Sequence, residues 1–489
     1  MSLTRKKSVA SLLDQLSHST LKRTLTASNL VALGVGAVIG AGLFIRTAAA
    51  SAEAAGPAVT LSFIVAAIGC LFAGLCYAEF AAMIPIAGSA YTYAYTTMGE
   101  FVAWIIGWAL VLEYALGAAT VSIGWSEYLN NLFGGRIPYQ WCHSPMEVSV
   151  GGVRGIFNVP ALFILAILTL ILMKGIQESA TVNTIVVAIK VTIVIAFVAV
   201  GWHFVNPSNL SPYLVPATVP GHEGIFRHGW GGILGGAGIV FFAFIGFDAV
   251  STAAQETKNP ARDMPRGILG SLVVCTVLYI LFSYVLTGVC NWQEFKIAGK
   301  EASVAYAVQH YMPGFGWLAT AITVAILAGF SSVILVMLLG QSRVFYSMAN
   351  DGLLPKMFCD IHPTFRTPYK CNILLFFFVG AFAGFIPGSL AGDLTSIGTL
   401  FAFCVVCVGV WIMRHSEPTL KRAFRAPMVP LVPILGVIVC SGMIISLDHF
   451  TQLTAFGWML IGLCVYFLYS RSHSRLNAPP VEAVAKAEV

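Results

Sequence analysis

Apolar runs of about twenty residues recur from one end of this chain to the other. A helix rising about 1.5 Å per residue needs about twenty such residues to cross a hydrocarbon core. No other feature restricts the fold as much, because a chain that meets lipid repeatedly must satisfy its backbone polar groups internally. The runs fall at 27–46, 57–84, 99–131, 159–177, 182–204, 229–254, 268–290, 313–347, 369–388, 394–414, 427–447 and 452–471. Those at 57–84, 99–131 and 313–347 exceed the need and are expected to tilt or protrude. The expected class is an all-α integral membrane protein of about twelve transmembrane helices. Only 10% of the residues are charged, against about 25% in soluble domains, so lipid must cover much of the surface. One membrane domain is expected, not the several soluble domains that 489 residues would otherwise suggest.

Charge sets the expected topology. An even span count places both termini on one side. Segments on that side hold Lys258, Arg262, Arg266, Arg343, Lys356, Arg366, Lys370, Arg414, Lys421, Arg422, Arg425, Arg471 and Arg475. Segments on the other side hold Arg136, Arg154, Arg227, Lys296 and Lys300. The excess of Lys and Arg assigns the termini to the cytoplasm. The net charge of +6 is thus accounted for by topology, and no nucleic-acid partner is expected. The first residues are polar and basic (Arg5, Lys6, Lys7, Lys22, Arg23) with no cleavable signal pattern, so the first span is expected to remain. The expected division is a tail at 1–26, a transport core at 27–414, two additional helices at 427–471 and a disordered tail at 472–489, rich in Ala, Pro and Glu from Asn477 onward.

Most of the 11 cysteines lie within apolar runs and read as small buried hydrophobes. None shows metal-ligand spacing, and no metal or cofactor is expected. Cys142 and Cys290 fall near the external side, where a disulfide could form.

Two spans are interrupted by glycine. The first carries Gly34, Gly36, Gly40 and Gly42, and the sixth Gly231, Gly232, Gly235, Gly236, Gly238 and Gly246. Each glycine weakens a helix by roughly 1 kcal/mol relative to Ala. Broken helices five spans apart point to an inverted-repeat transporter. Amides freed at the first break would attract a carboxylate. The alternative is a close-packing face, since Gly36 and Gly40 also fit a GxxxG spacing. In the sixth span, Phe241 to Asp248 surrounds Gly246 with aromatics. A break there would bare carbonyls suited to an ammonium group, and Phe242, Phe244 and Phe247 could close over a solute. Asp248 argues against an ordinary lipid-facing stripe, because a carboxylate in a span is costly.

Three more residues stand out within spans. Lys190 lies roughly 12 Å from the inner end of the fifth span at 1.5 Å per residue. Burial favours its neutral form, so it could gain and lose a proton during a cycle. A snorkelling lysine is the alternative. Glu113 could face a cavity and attract a cationic side chain or a proton, whereas Glu79 is expected to anchor helix packing. No nucleophile and base pair occurs at depth, so an enzyme is not expected.

Four stretches in order carry a resemblance: Gly36 to Phe44, Tyr77 to Tyr91, Phe242 to Val250 with Lys258-Asn-Pro260, and Arg343 to Gly352. The chain resembles the amino acid–polyamine–organocation superfamily of secondary transporters, and within it the cationic amino acid transporter branch in its bacterial twelve-helix form. The resemblance implies a five-plus-five inverted repeat with discontinuous helices 1 and 6, and two further helices. It implies that a substrate carboxylate meets Gly40, Ala41 and Gly42, and that its amino group meets carbonyls of Val38, Ile39, Phe242, Ala243 and Ile245. Phe244 stands where the family commonly has Tyr, and Ala41 where it often has Ser or Thr. Members with a lysine at the position of Lys190 are thought to replace a sodium ion by a protonatable amine. The resemblance therefore implies proton-coupled import of amino acids through a multi-pass protein of the cell membrane, in keeping with a bacterial inner membrane. If it points inward, Glu113 favours cationic substrates, while Gly329, Ser331 and Ser332 in the eighth span could form a pocket for small or neutral side chains. Two alternatives stand beside symport: exchange of an amino acid for a related amine without net proton movement, and a sensor that binds without transporting.

Overall fold

The computed structural model describes residues 5–7, 24–83, 89–149, 151–175, 180–296 and 303–477. All regular structure among them is helical, with two isolated bridges. The main helices are α1 (Ala27–Val38), α2 (Val59–Met83), α3 (Ser89–Thr97), α4 (Glu100–Leu132), α5 (Val159–Met173), α6 (Ala180–Gly201), α7 (Gly229–Val240) and α8 (Pro260–Val289). They continue with α9 (Ser303–Tyr311), α10 (Gly316–Asn350), α11 (Tyr369–Phe385), α12 (Gly388–Ser416), α13 (Leu431–Ser446) and α14 (His449–Val465). Among the described residues, seven helical runs are long and apolar enough to cross a membrane, and five shorter helices are also apolar. The protein is a multi-pass, all-helical membrane protein.

Local chemistry sets several boundaries. Asn158 caps α5 by accepting from the Ala161 amide, and Asp448 caps α14 by accepting from Phe450. Pro260 opens α8 at its first position, where its missing N–H costs nothing. The most apolar stretches of α4 and α10 are 78% and 72% buried, against 28% for the run containing α6 and 22% for that containing α14. The first pair therefore forms the centre and the second the lipid-facing rim. α8 packs across α2 and α1, α10 against α4, and α12 against α13.

Two expectations at the edges change. Residues 472–477, expected within the disordered tail, are ordered, because Arg471–His473 and Arg475–Asn477 are helical. Ser474 donates to the Glu100 carboxylate, and Arg5 donates to the Leu476 carbonyl and to Asn477. These polar contacts hold 472–477 on the body despite a polar composition. The remainder of that tail, 478–489, lies outside the described residues, as do Lys22, Arg23, Lys300 and part of the Tyr77 to Tyr91 motif. Cys142 and Cys290 are separate thiols. Burial pushes the Cys142 thiol up to about 11, so little reactive thiolate forms at neutral pH.

Candidate functional site

The two glycine-rich segments break where expected. α1 stops at Val38, Ile39 is extended, and helix resumes as the wider turn Gly42–Arg46. At the start of that resumed run the Leu43 amide turns back onto the Gly40 carbonyl at 3.2 Å, and the first amides of a helical run have no preceding turn of their own helix to pair with. α7 passes into a tight turn over Phe241–Phe244, Ile245 is extended, and helical turns resume at Asp248. Gly246 permits this reversal because its φ is 111°, a region closed to most side chains.

The breaks lie directly against each other. A Cβ on Gly42 would fall 2.2 Å from the Ala243 Cα, so only glycine lets the two backbones meet. The Tyr279 hydroxyl lies 2.9 Å from the carbonyl oxygens of both Val38 and Ala243. One hydroxyl from α8 thus bridges the two broken helices, at carbonyls expected to face an ammonium group. Hydropathy alone hid this residue, since Tyr279 reads as one more aromatic in an apolar run.

Above the breaks is a cavity of about 490 Å³ whose walls include Ala41, Ile45, Arg46, Glu53, Glu127 and Arg227. Of the expected contact residues, only Ala41 lines it. Val38, Ile39, Phe242, Ala243, Phe244 and Ile245 are buried beneath. The expected aromatic lid takes a different form. Phe244 packs edge-on against Tyr279 and Phe63, and Phe247 packs against Tyr77 and Phe403. These rings hold the break in α7 to neighbouring helices. Arg46 and Asp393 form a buried ion pair beside the cavity, and Arg46 also donates to the Ser389 carbonyl at 3.4 Å. Arg46 could have been found as a charge inside an apolar run; its partner Asp393 fell just outside the expected tenth span.

Lys190 is buried, and its amine donates to the Gly36 carbonyl at 2.9 Å. It reaches α1, not the interface, which removes the snorkelling alternative. Gly329 is the floor beneath it: a Cβ there would come 2.7 Å from Lys190 Cε. Gly329 thus leaves room for the lysine, while the Ser331 hydroxyl donates back to Leu327 within its own helix.

Glu113 sits in a widened helical turn at Leu112–Leu116 and is fully buried. Thr399 and Asp248 lie beside it. Neither carboxylate oxygen of Glu113 completes a hydrogen bond of normal geometry among the described residues. Asp248 accepts from the Tyr114 hydroxyl at 3.3 Å. Glu79 is the packing anchor it was expected to be: it accepts from Arg414 at 3.0 and 2.7 Å and from the Ala426 amide at 2.8 Å, with Arg422 at 3.3 Å.

Paired helix breaks, with a buried lysine and a cavity both meeting the first of them, suit a membrane transporter. Residues 25–468 match the amino acid permease family, and the chain belongs to that family. It is 42% identical over 482 residues to the branched-chain amino acid permease BcaP of Bacillus subtilis, covering 97% of this chain and 99% of that one. It is 40% identical over 480 residues to the methylthioribose transporter of the same organism, covering 97% and 99%. It is 36% identical over 421 residues to the vacuolar cationic amino acid transporter 4 of Arabidopsis thaliana, covering 85% of this chain and 68% of the relative.

Proposed function

We propose that this protein imports amino acids across a cell membrane by proton symport, with a preference for cationic side chains. The seven long runs and five shorter helices would give twelve crossings with both termini cytoplasmic. The first ten would form the five-plus-five inverted repeat around the paired breaks. The substrate carboxylate would lie on the amides of Gly40, Ala41 and Gly42, and its amino group on the carbonyls of Val38, Ile39, Phe242, Ala243 and Ile245. Tyr279 would yield one of its two carbonyls to the amino group.

The observation that carries proton coupling is the Lys190 amine on the Gly36 carbonyl. A protonated amine attracts that carbonyl more strongly than a neutral one. Protonation would therefore fix α1 against α6 and α10, and deprotonation would release it. Coupling requires such a difference between two access states, not tight binding alone. Cationic preference rests on Glu113, a buried acidic group beside Asp248, two carboxyls that would together attract a cationic side chain. A second reading, branched-chain substrates, is favoured by the relative that is 42% identical and named for them. The alkyl side chain of Val333 facing Gly40 is compatible with it.

Uptake of labelled arginine, leucine and alanine into proteoliposomes tests this, with and without an inward proton gradient. The expected result is gradient-stimulated uptake with arginine ahead. Leucine ahead replaces the substrate preference; uptake that needs internal substrate and ignores the gradient establishes exchange; binding with neither uptake nor exchange would favour a sensor. Lys190→Ala is expected to reduce gradient-driven uptake at least a hundredfold while the protein still folds. Unchanged pH dependence in that variant removes the lysine from the coupling step.

A further inference from the structure

We propose that the groove between α8 and the segment joining α12 to α13 binds an anionic phospholipid. The groove encloses about 850 Å³, and its walls include Arg262, Pro265, Arg266, Leu269, Val273 and Phe424. It is independent of the transport site and of the substrate preference proposed above.

Three observations converge on one occupant. Arg262 and Arg266 are exposed and one helical turn apart, so they project from one face of α8. Neither makes an ion pair among the described residues. Two planar guanidinium groups suit the oxygens of a phosphate, and the amide pole at the start of α8 adds to the same field.

The same face continues as an apolar stripe. Val273, Val277 and Leu281 follow at four-residue intervals and are exposed. From Arg266 to Val277 the helix rises about 16 Å, about the depth of one leaflet of a core roughly 30 Å thick. A charged head with a long alkyl chain fits this sequence of surfaces, whereas free phosphate would use only its first turn.

The opposing wall is fixed. Glu79 is buried and binds Arg414, Arg422 and the Ala426 amide. Those contacts pin the chain on both sides of Ala423 and Phe424, which complete the groove. On the inner side, a Cβ on Gly270 would approach only Val31 of α1 within 4 Å. The occupant would therefore lie close to the first broken helix.

The test is thermal unfolding of the full-length protein in detergent, titrated with phosphatidylglycerol, phosphatidylcholine or inorganic phosphate. Phosphatidylglycerol is expected to raise the melting temperature saturably, with little response to the other two. Arg262→Gln with Arg266→Gln is expected to weaken that response about thirtyfold, from about 1 kcal/mol for each basic residue facing an anionic lipid. Lys356→Gln with Arg475→Gln removes two exposed charges elsewhere and should leave it intact. A double variant that unfolds without lipid is replaced by Phe424→Ala, which removes most of the opposing apolar wall and should weaken the response severalfold. The proposal is overturned if phosphatidylcholine or phosphate acts equally well, or if neither groove variant changes the response.

Discussion

The two ends of the helix bundle are built differently. At the end where α1 begins, polar contacts lace the chain together. Thr24 and Leu25 donate to the Glu256 carbonyl, and Lys258 donates to Leu25. Lys7 and Tyr91 share the carboxylate of Asp351, and Glu100 accepts from Tyr95, Tyr466 and Ser474. At the opposite end, where the run from Gly42 approaches Val59, the chain parts around a cavity of about 490 Å³. One buried ion pair, Arg46 with Asp393, stands beside it. The difference teaches that the structure has one closed and one open end, with the helix breaks between them. A transporter that alternates access needs both arrangements to be nearly equal in free energy.

The largest effect on this asymmetry is expected at the open end. Arg46→Ala leaves Asp393 buried without its cation, and breaking a buried pair typically costs about 3–5 kcal/mol. Thermal unfolding should fall sharply, and Arg46→Ala with Asp393→Ala should recover part of the loss. No recovery would mean that the pair does not act as a unit. A smaller effect is expected between the ends. Tyr279→Phe removes the hydroxyl from two buried carbonyls, at a cost of roughly 1–3 kcal/mol. Substrate KM should change while proton dependence persists, and unchanged kinetics would remove the bridge from the cycle. The smallest effect is expected at the closed end. Asp351→Asn weakens its hold on Lys7, a partly exposed pair worth up to about 1 kcal/mol. Hydrogen exchange over 24–38 should quicken with little change in melting temperature. Exchange equal to wild type would show that this tie does not keep the end shut.

Helix positions were legible in the sequence, because hydrophobic length is read by lipid one segment at a time. The apolar runs at 99–131 and 313–347 became α4 and α10 with ends shifted by at most three residues. Both breaks were legible too, since glycine density weakens a helix whatever surrounds it. Glu79 was placed correctly as a packing anchor, but its partners Arg414 and Arg422 lie more than three hundred positions away. Phe244 and Phe247 look like lids in sequence and prove to be packed rings, because a ring's role depends on which helix faces it.

The sequence by itself determined that this chain crosses a membrane many times, which segments are apolar enough to do so, and where two of them lose their helical bonding. Each of these follows from local composition acting against lipid or against backbone entropy. Only the tertiary structure decided that Lys190 meets Gly36, that Tyr279 joins Val38 to Ala243, that Arg46 finds Asp393 and that Gly329 makes room for the lysine. Those pairings depend on the rotation and depth of helices packed side by side, and the hydropathy of a single span carries no record of its neighbour.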